Sequence, residues 1–269
     1  MNTSAFLQGR RALVTGSVQG IGLAIAQDLA RAGCTLVLHG LATPEQVESA
    51  RQSVLAAGAP AVQVCTHNLR DPAQVAALMH EVLDQPLDIL VNNAGIQHTA
   101  ALADMPRDRW DDILAINLSA CFDTMRLALP GMAARGYGRV VNIASVHGLV
   151  ASVHKAPYVA AKFGLVGLSR VAALEYAQAG QRHSGGVTVN CICPGWTETA
   201  IIAPQIEARA HALGVDREAA TRDLLREKQP TGRTSLPQEI ARTVLWLCEP
   251  AAHNLTGVAL PIDGGWTAQ

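Results

Sequence analysis

The sequence has little net charge, no long apolar run and no paired-cysteine motif, and each absence excludes a class of protein. Its 269 residues carry a formal net charge of -1, which gives no reason to expect binding to nucleic acid or to an anionic membrane. No uninterrupted apolar stretch is long enough to cross a bilayer. The N-terminus lacks the basic and then apolar order of a signal peptide, so we expect a cytoplasmic protein.

The six cysteines are scattered among apolar neighbours and form no C-x-x-C pair. This pattern is typical of buried, reduced thiols, and we expect no metal site built on them. The chain shows no internal linker, repeat or low-complexity segment, and 49% of its residues are hydrophobic. We therefore expect residues 1–269 to form one large domain with an ample core.

Short apolar strands alternate with helical patterns from one end of the chain to the other. This alternation predicts an α/β fold with a doubly wound parallel sheet of about seven strands and helices on both faces. A helical stretch after the sixth strand would lie over the crevice at the strand ends, and we expect a substrate lid at about 197–229. The predicted strands cover residues 11–15, 35–39, 61–65, 87–91, 139–144, 185–193 and 258–262.

A glycine turn lies between the first predicted strand and the first helix, in the pattern Thr15-Gly-x-x-x-Gly20-x-Gly22. Glycines let the backbone approach a phosphate closely, and the first amides of the following helix supply donors. The context predicts a dinucleotide site, although a tight turn without a ligand remains the alternative. The second strand ends at His39 without the Asp or Glu that binds a ribose, or the Arg that binds a 2′-phosphate. The absence of a nearby cation disfavours NADP.

Three side chains suited to proton transfer lie in one short segment. Tyr158 and Lys162 are four residues apart, so a helix would place them on one face, where the ammonium favours the phenolate form. Ser145 ends a predicted strand and would point into the crevice. A Tyr and a Lys at this spacing are common on helix surfaces, and the alternative is a solvated helix face.

Asn117 stands within an apolar helical stripe, where it is either a satisfied structural residue or a group that bends the helix or holds a water.

Together these motifs resemble the short-chain dehydrogenase/reductase family in order and spacing. The resemblance includes Asn92-Asn-Ala-Gly95 and Pro194-Gly195 and covers nearly the whole chain. It implies a Rossmann fold and a catalytic set in which Tyr158 takes the substrate hydroxyl proton and Ser145 binds the substrate oxygen. Lys162 would bind the nicotinamide ribose, and Asn117 would hold a water of the proton relay. The implied cofactor-binding residues are Gly16, Ser17, Gly20, Ile21, Gly22, Asn68, Leu69, Asn93, Gly95, Tyr158, Lys162, Pro194, Gly195, Thr197 and Thr199.

A narrower resemblance is to bacterial D-3-hydroxybutyrate dehydrogenases, and it implies NAD as cofactor and a role in ketone body metabolism. A short hydroxy acid has a carboxylate that must be desolvated, so its site needs cationic and amide donors. The implied substrate-binding residues are Gln97, Ser145, His147, Lys155, Tyr158, Trp196 and Gln205. A Trp at position 266 would have to fold back or come from a neighbouring subunit to contribute.

Three departures from the subfamily pattern affect these expectations. Asn68 stands where an Asp usually contacts the adenine, residues 178–186 form a longer connection, and Glu198 replaces a basic residue near the lid base. Alternatives are therefore another hydroxy acid, a sugar alcohol or a 3-oxoacyl thioester as substrate, or a catalytically silent nucleotide sensor. The family also implies a homotetramer built on the helices that carry Asn117 and Tyr158, because an exposed apolar stripe needs a partner.

Overall fold

Seven parallel strands form a single sheet in the order β3-β2-β1-β4-β5-β6-β7, as described by a computed structural model for residues 5–200 and 202–268. The strand order reverses between β1 and β4, which opens a crevice at the carboxyl ends of these two strands. The predicted single Rossmann domain is confirmed. The strands β1 to β7 are Arg11–Val14, Thr35–His39, Val62–Cys65, Ile89–Asn92, Tyr137–Ile143, Gly186–Pro194 and Ala259–Ile262.

Helices cover both faces of the sheet because successive side chains of a buried strand point to opposite faces. Ala12 and Val14 of β1 lie in the core beneath α1, α2 and α9. Leu13, between them, lies in the core on the other face with residues of α3, α5 and α6. The helices α1 to α9 are Gly20–Arg31, Pro44–Ala56, Pro72–Val82, Arg107–Leu114, Ala120–Arg135, Ala156–Tyr176, Ala203–Leu213, Arg217–Lys228 and Pro237–Leu247.

The helical stripe that contains Asn117 belongs to one continuous helical run, with a wider, π-helical turn at Ala115–Ser119 between α4 and α5. By length and hydropathy alone the run Arg107–Arg135 is sufficient to span a membrane, a test that core helices of globular domains also pass. Asp123 and Arg126 lie within it and form an ion pair with each other.

The helical stretch expected after the sixth strand consists of two helices, α7 and α8. Gly214 ends α7 in the left-handed conformation (φ 64°), and Asp216 begins α8 by accepting a hydrogen bond from the Ala219 amide at 2.7 Å. The two helices form a hairpin that an ion pair between Arg209 and Asp223 ties together. Ile201, within the expected lid, lies outside the described residues.

The long connection at 178–186 lies at the opposite end of the sheet from the crevice. It leads into the amino end of β6, where the buried Arg139 guanidinium donates to the carbonyl oxygens of Gly185 at 3.0 Å and Gly186 at 2.9 Å. Gly180 must be glycine, because a Cβ there would lie 2.3 Å from the Gly136 oxygen. The insertion is therefore held at the far edge and does not contact the crevice.

Candidate active site

A cleft of about 390 Å³ runs along the carboxyl ends of the strands, across the point where the strand order reverses. One end is formed by the turn after β1 and the ends of β2 and β3, and the other by Ser145, Tyr158 and α7. Most of the candidates named from the sequence therefore meet in one cavity. Those that line it are Gly16, Gly20, Ile21, Asn68, Leu69, Asn93, Gly95, Gln97, Ser145, His147, Lys155, Tyr158, Lys162, Pro194, Gly195, Trp196, Thr197, Thr199 and Gln205.

The glycine turn fits close against the segment after β4. Asn93 donates its side-chain amide to the carbonyl oxygens of Thr15 at 2.9 Å and Gly16 at 3.0 Å. Gly16 has a positive φ of 63°, and a Cβ there would lie 2.9 Å from the Ala94 Cα. Gly22 is equally restricted, since its Cβ would lie 2.3 Å from the Gly16 oxygen. Only glycine permits this approach of turn, helix and strand end.

The start of α1 has the features of an anion site. Its N-cap residue, Gln19, makes no side-chain capping bond, whereas α2 and α3 are capped by Thr43 and Asp71. The first amides of α1 therefore face the cleft without a side-chain acceptor, and a phosphate bound there would accept from them. The turn and this helix end fit the pyrophosphate of a dinucleotide.

Two of the expected cofactor residues, Ser17 and Gly22, do not line the cleft. The Ser17 side chain is fully buried, and its hydroxyl accepts from the His39 amide at 3.0 Å, so it faces β2. Gly22 supports the turn from behind, through its close contact with Gly16. Both residues shape the turn, while their neighbours form its surface.

Ser145, Tyr158 and Lys162 converge at the other end of the cleft. Lys162 is 3% exposed and donates from Nζ to the Ile143 carbonyl at 2.8 Å. The same Nζ lies 5.6 Å from the centre of the Tyr158 ring. The Ser145 hydroxyl oxygen accepts from the His147 amide at 3.2 Å, which leaves its own hydrogen free to be donated.

Asn117 is completely buried in the π-helical turn. Its side-chain oxygen accepts from the Ile96 amide at 2.9 Å, and its side-chain nitrogen donates to the Ile96 carbonyl at 2.9 Å. The amide is thus satisfied by the segment after β4, which it holds beside Gly95. A Cβ at Gly95 would lie 3.4 Å from the Asn117 Oδ1 and 3.8 Å from the Lys162 Nζ, so both groups flank this glycine.

An aromatic wall closes the cleft beside these residues. Trp266 folds back within the same chain and stacks on Trp196 at a ring distance of 6.2 Å. Its edge meets the His147 ring at 5.5 Å, and His147 meets Tyr158 edge to face at 6.0 Å. The sequence was compatible with either a folded-back Trp266 or one from a neighbouring subunit. The turn at Gly264 and Gly265, both with positive φ, brings this tryptophan to the cleft.

Lys155 is a half-buried cation on this wall, with its Nζ 5.2 Å from the centre of the Trp196 ring. Burial lowers the pKa of Lys155 from 10.5 to about 8. No acidic side chain of the described residues forms an ion pair with it. Its charge is therefore available to an anion that enters the cleft.

His147 is neutral near pH 7. Burial, reinforced by the nearby Lys155 charge, lowers the pKa of His147 to about 4. Its Nδ1 lies 3.3 Å from the Val150 carbonyl oxygen, which can only accept, so Nδ1 carries the hydrogen. His147 was expected to be a donor near the substrate carboxylate. In this tautomer its Nε2 has a lone pair and cannot donate, so Lys155 is the charged group on this wall.

Two departures from the subfamily pattern have clear positions. Glu198 does not line the cleft: its carboxylate accepts from the Thr234 hydroxyl at 2.6 Å, and its amide donates to the Ser235 carbonyl at 3.0 Å. It therefore fastens the base of the α7–α8 hairpin. Asn68 does line the cleft, and its Oδ1 accepts from the Arg70 amide at 3.0 Å in a local turn.

His39, which was not among the candidates from the sequence, lines the adenosine end of the cleft. Only the place of His39 at the end of β2 could have indicated that it lines the cleft, because the last residue of a parallel strand faces the crevice in doubly wound folds. Leu41 and His67 also line this end, and they have no motif that marks them.

Comparison with known proteins agrees with the geometry of this cleft. The model of the short chain dehydrogenase family matches residues 10–210. The chain belongs to this family. A D-beta-hydroxybutyrate dehydrogenase of Cupriavidus necator is 45% identical over 267 residues, covering 98% of this chain and 100% of that protein. A second, of Rhizobium meliloti, is 41% identical and covers 97% of this chain and 99% of that protein.

Similarity to solved structures is equally extensive. The crystal structure of an actinorhodin polyketide ketoreductase variant with NADPH has a TM-score of 0.88 and 35% sequence identity, and covers 97% of this chain and 98% of that one. The resemblance to the short-chain dehydrogenases and to the hydroxybutyrate enzymes is confirmed. This member of the family is an oxidoreductase.

Proposed function

We propose that this short-chain dehydrogenase interconverts D-3-hydroxybutyrate and acetoacetate with NAD. The observation that carries the proposal is Lys155, a cation that forms no ion pair with an acidic side chain of the described residues and lies beside the proton-transfer residues in a cleft closed by Trp196 and Trp266. In 3-hydroxybutyrate a single methylene group separates the carboxylate from the carbinol carbon. Its alcohol and its charge would therefore need to be recognised at neighbouring points. The names of the two bacterial relatives support the same substrate.

The alcohol end of the substrate would be handled by the Ser145, Tyr158 and Lys162 group. A nicotinamide held in the cleft would supply the acceptor for the hydride that leaves the carbinol carbon. The phenolic oxygen of Tyr158 accepts the hydroxyl proton, while Ser145 donates its free hydrogen to the same substrate oxygen. Lys162 has three donors, of which one goes to the Ile143 carbonyl, and the other two would bind ribose hydroxyls. The Asn117 amide is occupied by Ile96, so a relay water would be held by main-chain carbonyls of the π-helical turn.

The carboxylate end would be held by Lys155, Gln97 and Gln205, which line the cleft on three separate elements. Gln205 lies on α7, so a carboxylate bound to it would draw the α7–α8 hairpin toward the cleft. This hairpin, fastened at its base by Glu198 and Thr234, is the lid that we propose.

A substrate panel tests the proposal directly. The purified protein is assayed with each enantiomer of 3-hydroxybutyrate, a neutral alcohol of similar size, a sugar alcohol and a 3-oxoacyl thioester, each with NAD and with NADP. We expect D-3-hydroxybutyrate with NAD to have the highest kcat/KM, read from the absorbance of the reduced nicotinamide. Equal activity on the neutral alcohol, or a preference for the thioester, would contradict the proposed substrate.

Selection of NAD over NADP follows from the neutral adenosine end of the cleft. The residues that line it are His39, Gly40, Leu41, His67, Asn68 and Leu69, and none has a permanent positive charge. A 2′-phosphate bound there would lose water without gaining a counter-ion, which costs affinity.

Leu41→Arg is therefore expected to raise kcat/KM for NADP about tenfold or more, since one charge-assisted contact to a phosphate contributes roughly 1.5–3 kcal/mol. Leu41 is 63% exposed, so the substitution disturbs no packing. Leu41→Gln, which adds length and polarity without charge, is the matched control. If Gln improves NADP use as much as Arg, the missing charge is not the reason for selection.

We also propose a cytoplasmic homotetramer assembled through α5 and α6. Phe122 on α5 is 46% exposed, and Val171 and Leu174 on α6 are 52% and 79% exposed. These apolar side chains would be covered by a neighbouring subunit. The six buried free cysteines are compatible with a reducing compartment.

Replacing Val171 and Leu174 together by Glu is expected to dissociate the assembly, because burying two carboxylates at an interface is strongly unfavourable. Light scattering at micromolar concentration measures the mass. Leu102→Glu, at an exposed leucine away from both helices, is the control and should leave the mass unchanged. A wild-type monomer would contradict the proposed tetramer.

A further inference from the structure

His39 occupies the end of β2, at the point where dinucleotide-binding folds commonly have an acidic or a basic residue. It is 3% exposed and contributes to the wall of the cleft. Its main chain accepts one hydrogen bond from the glycine turn and donates another to it. The Ser17 amide donates to the His39 carbonyl at 2.8 Å, and the His39 amide donates to the Ser17 hydroxyl at 3.0 Å. Any residue at position 39 can retain these main-chain bonds.

The imidazole makes two further bonds that most side chains could not make. Its Nε2 lies 2.8 Å from the His67 carbonyl oxygen, and its Nδ1 accepts from the Gly16 amide at 3.4 Å. Because a carbonyl oxygen only accepts, Nε2 carries the hydrogen and Nδ1 has the lone pair, so the ring is neutral. Burial lowers the pKa of His39, which favours the same neutral form.

These two bonds join segments that belong to different βα units. Gly16 opens the turn between β1 and α1, which would hold the pyrophosphate. His67 and the next two residues, Asn68 and Leu69, lie between β3 and α3 and line the cleft where the adenine would lie. The ring of His39 spans the interval between the two loops. The distance between the phosphate site and the adenine site therefore depends on a side chain from a third strand end.

We propose that His39 is a positioning residue that braces the glycine turn against the β3–α3 loop and thereby sets the affinity for the adenosine half of the dinucleotide. The inference rests on the proposed binding of NAD in this cleft. A ligand that contacts both loops gains most when they are already held at the correct separation, because the cost of ordering them has then been met during folding. Without the ring, each loop keeps its main-chain bonds but loses its link to the other.

Three substitutions separate the two bonds. Gln matches the position of Nε2 and can still donate to the His67 carbonyl. Asn matches Nδ1 and can still accept from the Gly16 amide. Leu has a similar volume and makes neither bond. Because the bond to His67 is the shorter one, at 2.8 Å against 3.4 Å, its loss should matter more.

The experiment is calorimetric titration of NAD into the folded full-length protein and each variant, with the melting temperature of each recorded separately. We expect His39→Leu to raise the Kd for NAD about tenfold or more, His39→Asn several-fold and His39→Gln about twofold, which follows the order of bonds lost. At saturating NAD, kcat and the KM for the hydroxy acid should remain within about twofold of wild type, since the ring lies at the far end of the cleft.

The Kd for NAD and the melting temperature of each variant together decide the proposal. A fall in melting temperature with an unchanged Kd for NAD would show that His39 acts on stability alone and would overturn it. If His39→Leu does not fold, Asn and Gln variants that both bind NAD like wild type would overturn it as well. The titration contains no hydroxy acid, so an incorrect substrate assignment does not affect it. Failure of wild type itself to bind NAD would reject the proposed cofactor, and this inference with it.

Discussion

Replacing Tyr158 by Phe is expected to lower kcat by about a thousandfold, because general acid–base catalysis typically contributes 10²–10⁴-fold. Phenylalanine keeps the ring that meets His147 edge to face at 6.0 Å, so the packing of the site is retained. Only the oxygen that would accept the substrate proton is removed. Steady-state kinetics with D-3-hydroxybutyrate measures the loss, and a titration with NAD measures cofactor binding, which should change by less than about threefold.

Ser145→Ala is the control for the Tyr158 prediction, because it removes a hydrogen bond to the substrate oxygen and leaves the proton acceptor in place. We expect a loss of about 10–100-fold, smaller than that for Tyr158→Phe. Appreciable turnover by the Tyr158→Phe protein would assign the proton transfer to another group. An inactive wild type that binds NAD would favour a nucleotide sensor instead.

Replacing Lys155 by Met is expected to raise the KM for 3-hydroxybutyrate by about 10–100-fold, since one charge-assisted contact contributes roughly 1.5–3 kcal/mol. Methionine retains an unbranched apolar stem beside the Trp196 ring and removes the charge. The KM for NAD should not change, because Lys155 lies at the substrate end of the cleft. Gln97→Leu should raise the same KM by a smaller factor. If neither substitution changes the KM, the carboxylate binds elsewhere.

The charge on Lys155 also sets a pH dependence. Burial lowers the pKa of Lys155 to about 8, so its ammonium form predominates below this pH and is lost as the pH rises through it. Anion affinity should therefore fall about tenfold per pH unit above about pH 8. The competitive inhibition constant of propionate, obtained from NAD-dependent turnover at each pH, measures this anion affinity separately from kcat. In the Lys155→Met protein propionate should bind weakly, and its inhibition constant should be nearly independent of pH from about 7 to about 9. An unchanged pH profile in that variant would contradict the assignment.

Local sequence patterns were sufficient to predict most of the fold. Each strand combines a short apolar run with a turn signal, which is the pattern typical of parallel strands that are buried on both faces. The strand Thr35–His39 has the predicted limits. The helical stretch expected after the sixth strand is present, and Gly214 divides it into two helices. Glycine is tolerated within a helical pattern, and only its left-handed backbone shows that the helix ends there.

That Ser145, Tyr158 and Lys162 line one cleft was also accessible to sequence, because Tyr158 and Lys162 are linked by helical spacing and Ser145 lies at a strand end. Their surroundings depend on contacts between distant segments. That Trp266 reaches His147, that Glu198 faces Thr234 rather than the cleft, and that His147 is neutral follow from such contacts. No local pattern encodes them, since burial and neighbouring charge determine a protonation state only after the chain has folded.

The amino-acid sequence by itself determined the parallel α/β architecture, the glycine turn and the set of groups able to move a proton, because hydrophobic period and motif spacing are local properties. The tertiary structure alone decided that Lys155 is a cation with no acidic partner in the part of the chain that the structure describes, and that His39 joins two loops. Both features arise where the ends of separate strands and helices meet, so they depend on distances in space that residue spacing does not record.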